Sequence, residues 1–191
     1  MNRSAVIFDL DGTLTTPYIN FNAIRAEIGV EGPILEALTE MDPVSRQRAE
    51  ALLLRIEREA AENATLQEGA VEVLETCRVK GHPVAILTRN ARPTVSLILE
   101  NYGITIDALR TREDGAIKPS PEPVLSICEE LRADPQRSWM VGDYLFDIIS
   151  GQEAGTRTVL MVGDKPTPDF ADRADHVIRR LAELLPIIEA G

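Results

Sequence analysis

Short apolar runs alternate with segments of helical periodicity from about residue 68 to the end of the chain. The runs that we predict as strands are 83–87, 106–109, 138–141, 158–161 and 176–178. We predict helices between and after them, at 69–80, 91–102, 121–131, 146–154 and around Leu181, Leu184 and Leu185. An earlier run, Ala5-Val6-Ile7-Phe8, is apolar throughout, as in a strand buried on both faces. This alternation predicts an α/β fold with a doubly wound, Rossmann-like parallel sheet.

Residues 16–66 interrupt the alternation and contain only helical patterns. Asn20 or Asn22 can cap a first helix, and Pro33 can open a second one. Asp42-Pro43 is typical of the cap and first turn of a long third helix. The charged residues of this third helix lie mostly off its apolar stripe, which predicts a solvated face.

The helical block is interpreted as a small cap domain inserted after the first strand. Residues 1–15 and 67–191 would then form the α/β core domain, and residues 16–66 the all-helical cap. A chain of 191 residues suits this plan, because a domain usually takes about 100–200 residues.

Polar residues follow each of the first four predicted strands. In chain order they are Asp9, Asp11, Gly12 and Thr13; Thr88, Arg89 and Asn90; Lys118-Pro119 after a loop; and Gly142, Asp143 and Asp147. Ligands of open parallel sheets bind outside the carboxyl ends of the strands. We therefore expect these residues to converge at one edge of the sheet.

These residue types fit chemistry on phosphate. Crowded carboxylates repel one another unless a cation joins them, and an all-oxygen site favours Mg²⁺. Lys118 adds a positive charge, Thr88 a hydroxyl, and amides near Gly12 can donate to phosphate oxygens. Asp9 can serve as a nucleophile. Asp11, two residues further, can act as acid toward the leaving oxygen and as base toward water.

At this point the sequence resembles the haloacid dehalogenase superfamily, in its phosphoglycolate phosphatase-like branch with a small helical cap. Four motifs carry the resemblance in order across residues 5–147, and they are Asp9-Leu10-Asp11-Gly12-Thr13-Leu14, Thr88, Lys118-Pro119, and Gly142-Asp143 with Asp147. The resemblance implies a hydrolase that acts on a small phosphate monoester, such as a phosphoglycolate-like compound or a sugar phosphate, through an aspartyl-phosphate.

The resemblance also implies a role for each matching residue. Asp9 would be the nucleophile and Asp11 the general acid and base, while Thr88 and Lys118 hold the phosphoryl group. The implied Mg²⁺ ligands are Asp9, the Asp11 carbonyl and Asp143, with Asp147 in support. The residues expected to contact phosphate are Gly12, Thr88, Arg89 and Lys118, although Arg89 is equally suited to the surface.

Two alternatives stay open at this stage. Dehalogenases need no acid two residues after the first Asp, so Asp11 favours a phosphatase, but phosphomutases of similar architecture keep it. A non-enzymatic, phosphate-responsive binding or regulatory protein also combines acidic residues, a Thr and a Lys. Receiver domains are proteins of this kind, but they are shorter than this chain and lack a cap.

The tetrapeptide Met-Val-Gly-Asp occurs twice, ending at Asp143 and at Asp164. Asp143 has Asp147 four residues later and then a helical pattern. Asp164 precedes Lys165-Pro166, which is typical of a loop. We assign Asp143 to the metal and Asp164 to a loop.

The formal net charge of -11 argues against nucleic acid or an anionic membrane surface as a partner, because both need a basic footprint. A small phosphorylated molecule remains compatible as a ligand, since a bound cation reverses the local field.

No apolar run is long enough for a membrane span, and the N-terminus lacks a signal-peptide cleavage region. These features predict a cytoplasmic protein in which Cys77 and Cys128 are buried free thiols. The sequence makes no prediction of oligomeric state.

Overall fold

The computed structural model describes residues 3–17 and 19–190. Within them, one parallel sheet contains the strands Val6–Phe8 (β1), Val84–Leu87 (β2), Ala108–Arg110 (β3), Trp139–Gly142 (β4), Arg157–Met161 (β5) and His176–Ile178 (β6). The α-helices are Phe21–Ile28 (α1), Ile34–Thr39 (α2), Pro43–Glu62 (α3), Ala70–Val79 (α4), Arg92–Tyr102 (α5), Glu122–Glu130 (α6), Leu145–Ala154 (α7) and Leu184–Ala190 (α8). Short 3-10 helices lie at Pro135–Arg137, Ala171–Arg173 and Leu181–Glu183. The predicted doubly wound α/β fold is confirmed.

The strand order is β3-β2-β1-β4-β5-β6. The chain therefore builds the sheet outward from β1 on one side and then from β4 on the other. Phe8 of β1 pairs with Val141 of β4, so the two strands end side by side at the point where the winding reverses. A crevice opens at such a switch point in doubly wound sheets.

The two faces of β1 pack into different parts of the core. Val6 and Phe8 join the cluster that includes residues of α4, α5 and α8, whereas Ala5 and Ile7 join the cluster that includes residues of α6. All four side chains are fully buried. This burial explains why the run is apolar throughout instead of alternating.

The third strand differs slightly from its predicted bounds of 106–109. The Asp107 carboxylate accepts a hydrogen bond from the Val84 amide at 2.8 Å, and the Asp107 amide donates to the Val84 carbonyl. The strand ladder then begins with Ala85 paired to Ala108. The segment before Ala108 is fixed by these contacts with the start of β2 instead of by ladder pairs.

The three helices α1–α3 lie between β1 and α4 and have an apolar cluster of their own, formed by Ile24, Ile34, Leu38, Ala49 and Leu53. The two connections to the sheet run side by side, because the Thr16 amide donates to the Thr65 carbonyl at 2.8 Å. The Asn20 side chain caps α1, and Asp42 caps α3. The helical insertion is as predicted; its status as a separate cap domain with bounds 16–66 stays a prediction.

Cys77 and Cys128 are buried and unpaired, as predicted. Among the described residues, no helix combines the length and apolar character needed to cross a membrane.

Candidate active site

Three carboxylates meet where β1 and β4 end. Asp9, Asp143 and Asp147 each place one oxygen within 4.8 Å of the others, and we call these three residues the acidic cluster. Lys118 Nζ lies between two of them, at 2.5 Å from Asp9 Oδ1 and 2.6 Å from Asp147 Oδ1. It also donates to the Leu87 carbonyl at 2.9 Å. Four segments that are distant in sequence thus converge as predicted.

A close approach of the backbone requires glycine beside the acidic cluster. Gly12 has a φ of +89°, and a Cβ built there would lie 2.3 Å from Asp143 Oδ2. At Gly142, a Cβ would lie 2.2 Å from Asp147 Cγ. These glycines allow the loop after β1 and the end of β4 to lie directly against the carboxylates.

Replacing Gly12 with alanine should lower both stability and activity. A non-glycine residue at this φ costs about 1–2 kcal/mol, and the new methyl group would displace Asp143. We expect an activity loss of about 10–100-fold, the range found when supporting contacts of a metal site are removed. Thermal unfolding and phosphate-release assays would measure the two effects.

Gly81→Ala is the matched control, since Gly81 has a φ of +87° but open space around its Cβ position. It should lose only the stability that the backbone conformation costs, about 1–2 kcal/mol, and keep its activity unchanged. Equal activity losses in the two variants would contradict the predicted clash with Asp143.

Asp147 is held rather than free. Its Oδ1 accepts from Lys118, and its Oδ2 accepts from the Tyr144 amide at 3.0 Å at the start of α7. Both oxygens are therefore engaged within the protein. This arrangement suits the supporting role that the resemblance implies for Asp147.

Asp11 is bound by a residue to which the sequence assigned no role. The side-chain Nδ2 of Asn90 donates to Asp11 Oδ2 at 2.5 Å, and the backbone amide of Asn90 donates to Thr88 Oγ1 at 3.2 Å. Asn90 is buried with Thr88 at the end of β2. Its place directly after a predicted strand was the available signal.

Burial dominates the electrostatics of the site. It raises the pKa of Asp9 well above its ordinary value; Lys118 opposes this shift, and the neighbouring carboxylates add to it. Burial also raises the pKa of Asp11 to about 6, against the hydrogen bond from Asn90. Burial lowers the pKa of Lys118, but Asp147 and Asp9 outweigh it and hold that pKa above its ordinary value. The ammonium of Lys118 therefore stays charged, and Asp11 is suited to exchange a proton near neutral pH.

A cavity of about 660 Å³ extends from these groups to the helical insertion. Its polar wall includes Asp9, Asp11, Thr88, Lys118 and Asp143. Its opposite wall is largely apolar and includes Ile19, Phe21, Ile34, Leu35 and Leu53. Such a volume suits a small-molecule ligand, with the polar groups gathered at one end.

Arg89 joins the sheet edge to the insertion. Its guanidinium donates to both Glu36 oxygens, at 2.9 and 2.5 Å, and also bonds the Lys118 carbonyl. It lies over the Phe146 ring, 5.0 Å from the centroid. Its predicted contact with phosphate stays a prediction, since the side chain is directed at Glu36 here.

The solvated face predicted for α3 is wrong for Glu57. This side chain is 4% exposed and forms an ion pair with Arg112, with Oε1 and Nη1 2.5 Å apart. Burial raises the pKa of Glu57 against the effect of Arg112. Glu57 lies four residues after Leu53 and three before Ala60, so it shares their buried face of the helix.

Asp164 is exposed and lies outside the acidic cluster. It follows β5, one strand further from β1 than the strand that precedes Asp143. At the entry to the insertion, Phe21 and Arg25 line the cavity, and Asn22 accepts a hydrogen bond from Arg25 at 2.6 Å. Tyr18 lies outside the described residues.

The donor set fits a hard divalent cation. The acidic cluster offers only carboxylate oxygens, which Mg²⁺ prefers. With Asp11, four carboxylates stand against the ammonium groups of Lys118 and Lys165, the latter 3.1 Å from Asp143 Oδ2. At full ionisation two negative charges remain, which a divalent cation would balance.

Comparison with known proteins identifies the family. A family model described as haloacid dehalogenase-like hydrolase matches residues 4–155. The chain belongs to the haloacid dehalogenase-like hydrolase family. It is therefore an enzyme of the hydrolase class, and the resemblance drawn from the four motifs is confirmed.

Two curated relatives of this hydrolase match it over nearly their whole length. It is 30% identical to the uncharacterized hydrolase YOR131C of Saccharomyces cerevisiae, over 97% of this chain and 90% of the relative. It is 28% identical to the pyrophosphatase PpaX of Bacillus mycoides, over 98% of each protein.

Solved structures share the fold of this family member. A hydrolase from Pseudomonas syringae superposes with a TM-score of 0.83 at 20% identity, covering 98% of this chain and 99% of that one. A protein described as a predicted phosphoglycolate phosphatase, from Haemophilus somnus, gives 0.77 at 22% identity, covering 97% of each chain.

Proposed function

We propose that this hydrolase is a Mg²⁺-dependent phosphatase that cleaves a small phosphate monoester through an aspartyl-phosphate on Asp9. The observation that carries the proposal is the convergence of Asp9, Asp11, Lys118 and Asp143 at one end of a cavity of about 660 Å³. Pyrophosphatase and phosphoglycolate phosphatase are names of similar proteins, and both describe phosphoryl hydrolysis.

In the first half of the reaction, a carboxylate oxygen of Asp9 attacks phosphorus and the bond from phosphorus to the leaving oxygen breaks. Asp11 gives its proton to that oxygen, so the leaving group departs as an alcohol. Lys118 and Thr88 hold the phosphoryl oxygens. Lys118 also fixes the nucleophile, because its ammonium lies 2.5 Å from Asp9 Oδ1.

In the second half, water attacks the phosphorus of the aspartyl-phosphate and gives a proton to Asp11. The bond from phosphorus to the Asp9 oxygen breaks, which releases inorganic phosphate and restores both carboxyl groups. Asp9, Asp143 and the Asp11 carbonyl would hold Mg²⁺, with Asp147 in support. When bound, the ion would neutralise the charge of the phosphoryl oxygens and of the nucleophile.

The proposed substrate is a small molecule and not a nucleic acid or a membrane lipid. The net charge of -11 opposes binding to a polyanion. The apolar wall formed by the insertion would contact the leaving group, whereas the polar end receives phosphate.

Removal of divalent metal should abolish turnover. We expect purified protein with Mg²⁺ to release phosphate from p-nitrophenyl phosphate or from members of a panel of phosphorylated metabolites. EDTA should stop the reaction and added Mg²⁺ should restore it, with a rise in the thermal midpoint as a second readout of binding. Activity that persists in EDTA would contradict the metal requirement.

The same panel separates the phosphatase from a phosphomutase. A phosphatase releases inorganic phosphate in proportion to the ester consumed. An isomerised sugar phosphate with little free phosphate would overturn the proposal in favour of a mutase, and stable phosphorylation of Asp9 without turnover would favour a regulatory protein.

A further inference from the structure

We propose that Asn90 is a positioning residue that orients the Asp11 carboxyl group for proton transfer to the leaving oxygen. The inference rests on the proposed function, since it assigns to Asp11 the role of general acid. Asn90 follows β2, whereas Asp11 follows β1, and Asn90 is not part of the acidic cluster.

The geometry around Asn90 is fixed at three points. Its side-chain Nδ2 donates to Asp11 Oδ2 at 2.5 Å, and its backbone amide donates to Thr88 Oγ1 at 3.2 Å. Its carbonyl accepts from the Arg112 amide at 3.3 Å. The residue is 7% exposed, so its side chain has little freedom to turn away from Asp11. A donor held in this way can hold the carboxyl group in one orientation.

The bond to Asn90 distinguishes the two oxygens of Asp11. Oδ2 accepts the hydrogen bond from Asn90 Nδ2. A proton placed on Oδ2 would therefore point at another donor and would find no acceptor there. The proton of the acid form therefore belongs on Oδ1, the oxygen that Asn90 leaves free. Once that proton passes to the leaving oxygen, the new carboxylate keeps a charge-assisted hydrogen bond from Asn90.

Asn90 suits this task because its amide does not titrate. The uncharged side-chain amide donates a hydrogen bond to one oxygen of Asp11 and so fixes the orientation of the carboxyl group. The placement follows from the sheet, because β1 and β2 are parallel neighbours with Phe8 opposite Ile86, and the residues just beyond them meet.

The test compares two esters with different leaving groups in the full-length protein with Mg²⁺. An aryl phosphate such as p-nitrophenyl phosphate releases a stable phenolate and needs little protonation. An alkyl phosphate from the panel releases a poor leaving group and depends on the acid. For Asn90→Ala, we expect kcat/KM for the alkyl ester to fall by about tenfold more than for the aryl ester.

Four further variants make the result decisive. Asn90→Ser also lacks a side chain that reaches Asp11 and serves if the alanine variant folds poorly. Asp11→Asn should shift the alkyl-to-aryl ratio in the same direction, and adding Asn90→Ala to it should bring no further shift. Asn101→Ala, on the exposed side of α5, is the matched control and should leave the ratio unchanged.

Equal losses for the two esters would overturn the positioning role and leave Asn90 as a structural residue. That outcome differs from failure of the proposed function, in which the unmodified protein releases phosphate from neither ester. Loss of the fold would lower both rates together and would be seen in the thermal midpoint, whereas a change in the ratio reports on protonation alone.

Discussion

Asp9→Asn should reduce kcat/KM for phosphate release by about 10³-fold or more, because a carboxamide cannot form the aspartyl-phosphate. The fold should survive. Asparagine has the same shape, its side-chain oxygen can still accept the hydrogen bond from Lys118 Nζ, and that ammonium keeps Asp147 as its counter-charge. The thermal midpoint is therefore expected to stay within a few degrees of the parent, while phosphate release disappears.

The control for this variant is Asp164→Asn. Asp164 ends the second copy of the same tetrapeptide but is exposed and stands outside the acidic cluster. It should keep near-normal activity. Substantial activity in the Asp9 variant would rule out Asp9 as the nucleophile, whatever the result for Asp164.

Lys118→Met should destabilise the protein and remove its activity. Lys118 is 3% exposed and its ammonium contacts Asp9 and Asp147. Without it, two buried carboxylates lose their shared counter-charge, and breaking a buried ion pair from one side costs about 3–5 kcal/mol. This is a large part of the 5–15 kcal/mol by which a protein is usually stable. Chemical denaturation would measure the free energy of unfolding.

Lys80→Met is the matched control, because the Lys80 side chain is 40% exposed and, among the described residues, forms an ion pair only with Glu189 at the surface. Its stability should change by less than about 1 kcal/mol. A Lys118 variant that is as stable as the Lys80 variant would show that the two buried carboxylates are neutralised in another way.

The strand ends were the part of the site that could be read from the sequence. Asp9, Thr88 and Asp143 each follow a short apolar run, whereas Lys118 follows a loop. Parallel strands bring such ends to one edge. For the first three residues local order was enough, because the carboxyl end of each strand is fixed by where its apolar run stops. The helix starts at Asn20, Pro33 and Asp42 were equally local, since a cap acts within one turn.

Contacts across the insertion could not be read in the same way. Glu57 was assigned to the solvated face of α3 because its partner, Arg112, is 55 residues away in sequence. Arg89 and Glu36 are 53 residues apart. Nothing in the periodicity of a helix shows that a charged residue meets an opposite charge from another segment. Asn90 was expected at the sheet edge from its place after β2, but its hydrogen bond to Asp11, 79 residues away in sequence, could not be predicted from local order.

The strand order has a consequence for the chain as it is synthesised. β1 lies in the middle of the finished sheet, yet its neighbour on one side, β4, begins only at Trp139. At about 5–20 residues per second, the ribosome needs roughly 7–26 s to add the 130 residues between Phe8 and Trp139. Throughout that interval, β1 lacks the strand β4 that pairs with one of its backbone edges in the final fold. During synthesis, an unpaired strand edge next to Asp9 is therefore available for pairing with other chains until β4 emerges.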